Sequence, residues 1–181
     1  MDDAVFIRAK AGDRKAQGEI VNSLADPWYR LAISMLGNAD LARDAAQECA
    51  LRFLSDLGRF RGDSSLKTWA MGIAINVVRE FRRGQWKMRL VPEDFDVPDK
   101  SDPVEHRAEQ GEDKERLRRL LTDLPERQRE ALVLRFFEDL SVEDTAKVMG
   151  CAEGTIKATV HQALRALKGK LTRKMPLNPG T

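Results

Sequence analysis

The sequence is poor in the residues that bind metals. Its 181 residues include two cysteines, Cys49 and Cys151, and two histidines, His106 and His161. The cysteines are far apart and follow no metal-ligand spacing, so there are too few ligands for a zinc site. We expect a protein with no metal and no cofactor, and with reduced thiols in a cytoplasmic compartment.

Long apolar runs and catalytic motifs are also missing. No run approaches the ~20 residues of a membrane span. The first ten residues, MDDAVFIRAK, lack the basic start and apolar core of a signal peptide. We therefore expect a cytoplasmic protein without membrane insertion. There is also no Gly-rich phosphate loop, nucleophile motif or pair of catalytic carboxylates, which disfavours an enzyme.

Charge is distributed unevenly, although the formal net charge is only +2. Residues 155–175 contain six basic residues and no acidic one, and residues 79–89 form a second basic run that only Glu80 interrupts. Between these runs, nine acidic residues lie from Glu93 to Asp113. The near-zero net charge therefore hides a basic–acidic–basic order along the chain.

Helical periodicity dominates, and no stretch has the alternation of a strand. Prolines 92, 98 and 103, among the acidic residues, mark residues 91–112 as a flexible acidic linker. The sequence therefore predicts an all-α protein. We expect two small helical domains, residues 1–90 and 113–175, with a helix-turn-helix in the second.

In the first domain, helices are predicted over residues 3–24 with a break near Gly12, from Pro27 to Gly37, over 39–57, and onward from a cap at Ser64 or Ser65. The fourth helix should bury an apolar stripe at three-and-four spacing: Leu66, Trp69, Ala70, Ile73, Val77 and Phe81. In the second domain, helices are predicted over residues 113–121, 125–137, 141–149 and 154–170.

The last two predicted helices have the pattern of a helix-turn-helix. Ser141 begins a sequence close to a capping box, Gly150 allows a tight turn, and the following helix has no acidic residue from Thr155 onward. The start of such a second helix enters the major groove, which puts residues 153–161 near base edges. The alternative is an ordinary helical hairpin with a solvated basic tail.

Aromatic and basic residues alternate in the predicted fourth helix. Aromatic rings beside cations hold unstacked bases, at ~1–3 kcal/mol per base, but a residue such as Trp69 at helical spacing also occurs in ordinary cores. The small polar loop from Phe60 to Ser64 can form a pocket for one flipped base. Asp44, Gln47 and Glu48 share a helix face, which spacing alone does not distinguish from a solvated surface.

Several ordered motifs resemble bacterial RNA polymerase sigma factors, most closely the extracytoplasmic-function (ECF) group. DAAQE at 44–48, FRGDSS at 60–65 and TWAMGIAIN at 68–76 resemble sigma region 2. LPERQREA at 124–131 and GTIK at 154–157 resemble region 4. The resemblance covers nearly the whole chain outside the linker and tail, and regions 2 and 4 joined by a short linker are the mark of this group.

The resemblance implies a promoter-specificity subunit that binds core RNA polymerase, duplex promoter DNA and the melted non-template strand, with an anti-sigma factor as a further partner. It implies that polymerase clamp helices bind Asp44, Gln47 and Glu48. The implied pocket for a flipped minus-ten base consists of Phe60, Arg61, Gly62, Asp63, Ser64 and Asn76. Residues implied to support melting and hold the strand are Lys67, Trp69, Arg79, Arg82 and Arg83. The implied minus-thirty-five contacts are Glu153, Gly154, Thr155, Lys157, Ala158 and His161. The helix over 125–137 would help seat region 4 on the flap of the second-largest subunit.

The predicted recognition helix departs from the family pattern. Lys157 is followed by Ala158 and Thr159, where the family commonly has Ser and Arg. Fewer phosphate contacts imply weaker and less salt-sensitive duplex binding by this domain. Two alternatives to a sigma factor stay open. One is a stand-alone helix-turn-helix regulator, and the other is a sigma-like decoy that binds polymerase without opening promoters.

The linker predicts that the isolated protein binds a complete promoter weakly. Two elements about two helical turns apart require readers roughly 70 Å apart. A linker of about twenty residues has a relaxed span of ~25 Å and reaches ~70 Å only when fully extended. Titration of a labelled promoter with the protein alone and with its polymerase complex measures the difference. Tight, specific binding by the isolated chain would contradict this prediction.

Overall fold

The computed structural model describes residues 3–84 and 119–174, with side chains over 4–84 and 119–170. Over these ranges the chain is helical and contains no strand, which confirms the predicted all-α class. The chain divides into two compact units, Met1–Val104 and Glu105–Thr181. The predicted linker at 91–112 and the end of the tail lie outside the described residues. No helix of the described ranges is both long and apolar enough to cross a membrane.

Over residues 3–84 the first unit contains four α-helices, α1 Asp3–Lys10, α2 Arg14–Leu36, α3 Ala39–Asp56 and α4 Leu66–Arg82, with a 3-10 turn at Leu57–Arg59 between α3 and α4. Local capping chemistry fixes these boundaries. Asp13 accepts backbone N–H groups at the start of α2, Gly37 closes α2 in the left-handed conformation with φ 69°, and Ser65 accepts the Thr68 N–H at the start of α4. The predicted break near Gly12 and the predicted end at Gly37 are confirmed.

Pro27 does not begin a helix, and that prediction is wrong. It lies inside α2 and is buried, so the helix continues through it. Proline cannot donate to the carbonyl of Ser23 four residues earlier, so the helix lacks one hydrogen bond at this point. Leu24 and Leu31, one turn on either side, are 2% and 0% exposed. Burial of both halves against one core outweighs the lost hydrogen bond.

The core of the first unit is centred on Trp28 of α2 and Phe53 of α3, both fully buried. Their ring centroids are 5.6 Å apart, and the Trp28 indole N–H donates to the Ala70 carbonyl of α4 at 3.3 Å. Met71 and Ile75 complete this core from α4. The buried Trp28 therefore ties three helices together through its ring and its polar edge.

The buried face of α4 differs from the predicted stripe. Leu66, Trp69 and Ile73 are only partly buried. The fully covered side chains are those of Thr68, Ala70, Met71, Ala74, Ile75, Val77, Val78 and Phe81. Because α4 packs against both α2 and α3, its covered arc is wider than one stripe and is rotated from the predicted position.

The second unit contains a helical turn at residues 119–122, then α5 Glu126–Leu132, a π-helical turn Val133–Phe137, α6 Val142–Met149 and α7 Glu153–Lys174. Ser141 caps α6 by accepting the Asp144 N–H at 2.9 Å. Gly150 ends α6 with φ 64°. These are the cap and the turn residue predicted for the helix-turn-helix, and α7 begins one residue before its predicted start.

The helix predicted over 125–137 is not uniform. Pro125 precedes its first turn, and its last five residues widen into the π-helical turn. The Glu138 N–H then donates five residues back to the Val133 carbonyl at 3.1 Å, and Asp139 has a positive φ of 53°. The sequence gives no local signal for this turn, which leaves the Phe136 side chain 54% exposed.

Arg129 of α5 is buried and satisfies backbone carbonyls that end the turn at 119–122. Its guanidinium donates to the carbonyls of Leu121 at 2.8 Å, Leu124 at 3.1 Å, and Thr122. These charge-assisted bonds pin the turn beside the core cluster in which Leu121 and Leu124 meet Leu132 and Ala163. Arg129 is therefore a structural residue.

We predict that Arg129→Met lowers the free energy of unfolding of the second unit by about 2–4 kcal/mol. The methionine fills similar space but leaves buried carbonyls without donors. Urea unfolding, monitored by hydrogen exchange of residues 119–170, measures the change in the free energy of unfolding. The exposed Arg165 is the matched control, because Arg165→Met should stay within about 0.5 kcal/mol. Equal effects of the two substitutions would contradict the prediction.

Candidate polymerase and nucleic-acid interfaces

The acidic face predicted on α3 is only partly free. Asp44 and Gln47 are exposed, whereas the Glu48 side chain is 17% exposed and forms an ion pair with Arg52. The i to i+4 spacing brings the Arg52 Nε to 2.5 Å from a Glu48 carboxylate oxygen. Asp44 and Gln47 can therefore meet a partner directly, while Glu48 is held against its own helix.

Arg52 joins α3 to α4. Its two terminal nitrogens donate to the two carboxylate oxygens of Glu80 at 2.9 and 2.6 Å, a bidentate pair. Bonding to Glu80 raises the pKa of the Arg52 guanidinium, burial opposes this, and Glu48 adds to the rise. Two half-buried carboxylates thus share one cation across the helix interface, which offsets part of the cost of burying their charge.

A cleft of about 360 Å³ opens beside this ion-pair cluster. Its wall contains Asn76 and Arg79 of α4, Arg83 at the end of that helix, and Arg52 of α3, together with the carboxylates of Asp56 and Glu80. Asn76 is exposed and lies seven residues beyond Trp69, two helical turns or about 10 Å along α4. An amide beside guanidinium groups can bind both a base edge and a phosphate. Among the other predicted strand-holding residues, Lys67 is partly buried and Arg82 is exposed.

The loop from Phe60 to Ser64 has an apolar root and a polar tip. The Phe60 ring contacts the Phe6 ring at 5.3 Å and the Trp69 ring at 5.2 Å between centroids. The tip residues Arg61, Gly62 and Asp63 are exposed, and Gly62 has φ 83°, which favours glycine. The loop tip is therefore presented to solvent from a packed aromatic root, and the predicted pocket for one flipped nucleobase stays a prediction.

Trp69 lies between the core and this loop. Its ring is 5.2 Å from that of the buried Phe53 as well as from that of Phe60. The ring is partly buried and packs against both the core and the loop root, which agrees with the core interpretation of its spacing, while stacking on a base stays a prediction. Trp86, the other tryptophan near this region, lies outside the described residues.

The six residues predicted to contact duplex DNA share the outer surface of α7. All of them are exposed: Glu153, Gly154, Thr155, Lys157, Ala158 and His161. Ile156 and Ala163, on the opposite side, are 1% and 0% exposed, and Val160 and Leu167 pack against the core cluster. The helix thus presents a continuous exposed surface over its first turns, from Glu153 to His161, as a recognition helix requires.

The recognition surface carries little free positive charge in its first two turns. Lys157 lies 4.0 Å from the Glu153 carboxylate, one turn earlier. This exposed pair weakens the field that a phosphate would meet at the helix start, although it contributes little stability. The geometry therefore agrees with the weak phosphate contact expected from the sequence.

Sequence reasoning did not single out several residues of these surfaces. Phe6 and Lys10 of α1 contact the loop root, and Glu80 completes the cluster around Arg52. The spacing of Glu48 and Arg52 is a readable i to i+4 pair. The partners separated by 28 and 50 or more residues become visible only once the helices are packed.

The sequence matches the family described as Sigma-70 region 2 over residues 20–88 and the family described as Sigma-70, region 4 over residues 114–167. RNA polymerase sigma factor SigV of Bacillus subtilis is 31% identical over 150 residues, covering 81% of this chain and 86% of SigV. The ECF RNA polymerase sigma factor EcfG of Rhodopseudomonas palustris is 38% identical over 141 residues, covering 77% of this chain and 76% of EcfG.

Solved structures with a similar fold include CnrH in complex with the cytosolic domain of CnrY. The TM-score is 0.74 at 20% identity, over 96% of this chain and 99% of that chain. RpoE in complex with the anti-sigma factor NepR from Bartonella quintana has a TM-score of 0.64 at 24% identity, over 85% of this chain and 95% of that chain. At these identities the similarity supports the fold.

We predict that Arg52→Met destabilises the first unit by about 1–3 kcal/mol, because Glu48 and Glu80 lose their shared cation in a half-buried site. Adding Glu48→Gln and Glu80→Gln to the variant should recover part of this loss, since the two side chains that Arg52 had neutralised then carry no charge. Urea unfolding, monitored by tryptophan fluorescence, measures the free energy of unfolding of the single and the triple variant. A triple variant less stable than Arg52→Met would contradict the shared-cation account.

Proposed function

The chain belongs to the sigma-70 family, in its extracytoplasmic-function group, and we propose that it joins core RNA polymerase, selects promoters and helps to melt the minus-ten element. Sigma factors are transcription initiation factors rather than enzymes, and we propose no catalytic activity for this chain. The loop from Phe60 to Ser64 is the observation that carries the melting step. Its rigid aromatic root and exposed polar tip suit the capture of a base that has left the duplex.

The polymerase surface that we propose is the outer face of α3, with Asp44 and Gln47 as direct contacts. Both are exposed on a helix whose opposite face, at Ala45 and Cys49, is fully buried. Glu48 contributes from within the Arg52 cluster, which fixes α3 against α4. Docking on this surface would leave the α4 side of the cluster available for DNA.

The minus-ten surface that we propose extends from the loop along α4. The loop tip would receive the flipped base, and the cleft wall at Asn76, Arg79 and Arg83 would hold the adjoining strand. Lys67 and Arg82 would add charge to the path. Arginine groups beside a base-binding amide favour single-stranded DNA, whose backbone needs cations and whose bases need hydrogen-bonding edges.

For the second unit, we propose minus-thirty-five contacts along the outer surface of α7 from Glu153 to His161. The helix over Glu126–Leu132 and the π-helical turn after it would help to seat this unit on the polymerase flap. Residues 1–90, 91–112 and 113–175 would act as region 2, linker and region 4. We place the protein in the cytoplasm without membrane insertion, and propose an anti-sigma partner like the one bound to the similar RpoE.

Run-off transcription with bacterial core polymerase on genomic promoter fragments tests the function. Wild-type protein should give promoter-dependent transcripts. Asp44→Arg should weaken core binding at least about tenfold, since it reverses a charge on the docking face. Asn76→Ala should keep core binding and lower transcription about tenfold, the effect of losing one base-directed amide. Binding of labelled core polymerase separates the two defects.

Glu19→Arg is the matched control, because Glu19 is exposed on α2 and the substitution makes the same change of charge. It should leave core binding and transcription unchanged. Core binding without transcripts from any fragment would favour a decoy that occupies polymerase. Failure of the wild-type protein to bind core would contradict the proposed function and favour a stand-alone regulator.

A further inference from the structure

The first helix, α1, lies before the range matched to Sigma-70 region 2, which begins at residue 20. Yet α1 contacts the root of the loop fifty residues away along the chain. The Phe6 ring meets the Phe60 ring edge-on, with an interplanar angle of 80°. The Lys10 ammonium donates to the Phe60 carbonyl at 3.0 Å and lies 5.9 Å from the Phe6 ring centroid.

The helix is itself seated on the unit, so these contacts can restrain the loop. Ala9 of α1 is 1% exposed, and the Gln17 side chain of α2 donates to its carbonyl at 3.1 Å. Arg8 forms an ion pair with Asp13, the residue that caps α2. A helix fixed in this way holds Phe6 and Lys10 at set positions relative to the core.

The loop has few restraints of its own. Its tip is exposed, and the Phe60 N–H makes only a 3.3 Å bond to the Leu57 carbonyl at the end of the 3-10 turn. Phe60 is thus fixed by Trp69 from α4, by the Phe6 ring and by the Lys10 ammonium. Of these three contacts of Phe60 with other helices, two come from α1. An unrestrained loop would have to be ordered when a base binds, and that cost lowers affinity.

We propose that Phe6 and Lys10 are positioning residues of the base-capture loop, and that α1 is a third element of the minus-ten site beside the loop and α4. The inference rests on the proposed function, because it assumes that the loop binds a base. Phe6 and Lys10 act through Phe60: the ring contact sets the side chain, and the ammonium sets the carbonyl at which the loop begins.

The test measures how the assembled polymerase complex binds single-stranded DNA. The probe is the fluorescein-labelled sequence that the wild-type complex enriches from a single-stranded pool with a randomised window. Phe6→Ala and Lys10→Met should each weaken binding about three- to tenfold, while core binding is unchanged. Phe6→Tyr and Lys10→Arg should restore most of the affinity, since they keep the ring and the donor.

Two controls match these changes. Ile7→Ala alters the same helix at a side chain that is 66% exposed, and Lys15→Met removes an exposed ammonium from α2. Both should bind the probe like the wild type. Lys10 is exposed, so Lys10→Met tests the proposal even if Phe6→Ala lowers the stability of the unit. Circular dichroism melting of each variant separates the two effects.

A double-mutant cycle distinguishes positioning from a general structural effect. In a Phe60→Ala background, Phe6→Ala should cause no further loss, because the contact through which it acts is gone. Full additivity would overturn the proposal. If Phe60→Ala weakens binding and neither α1 variant does, the role of α1 is wrong and base capture stands. If Phe60→Ala has no effect on the probe, both proposals fail.

Discussion

A continuous row of aromatic rings connects the interior of the first unit to its surface. Trp28, Phe53, Trp69, Phe60 and Phe6 follow one another with centroid distances of 5.2–5.6 Å. The first two rings are fully buried and the last three partly so. Each ring packs on one side against the ring beneath it and has few alternative rotamers. A buried ring therefore restricts the movement of the ring nearer the surface. The loop can therefore be short, polar and exposed at its tip without losing a defined shape at its root.

The charged residues between α3 and α4 are held by ion pairs, whereas the aromatic rings are held by burial. Apolar rings stabilise the interface by burial, whereas Arg52 stabilises it by pairing with both Glu48 and Glu80 between α3 and α4. This arrangement separates two outward surfaces. Asp44 and Gln47 are exposed on α3, whereas the cleft with Asn76 and Arg83 is lined by residues of both α3 and α4. The proposed polymerase-binding face and the proposed strand-binding face can thus lie near each other without sharing side chains.

The features that could be predicted from the sequence are those that depend on residues close by in the chain. Ser65, Ser141, Gly37 and Gly150 act through bonds to backbone groups within a few residues, and their roles follow from residue type. The outer surface of α7 follows from the 3.6-residue repeat. Continuation of α2 through Pro27, the buried arc of α4 and the contact of Phe6 with Phe60 depend on packing between distant segments. At Pro27, burial of the helix on both sides outweighs the local tendency of proline to end a helix. The spacing of residues along the sequence does not show which distant side chains come into contact.

The two units offer DNA different amounts of prearranged chemistry. The loop and cleft of the first unit combine packed rings, an exposed amide and several guanidinium groups. The first turns of α7 offer Lys157, partly offset by Glu153, and small or neutral side chains around it. Duplex affinity grows with the number of phosphates neutralised. We therefore expect the first turns of α7 to bind duplex DNA weakly on their own. Discrimination between promoters should then depend more on the melted minus-ten strand than on the upstream duplex. Docking on the polymerase would hold the second unit close to the upstream promoter element, which its weak contact with duplex DNA would not do alone.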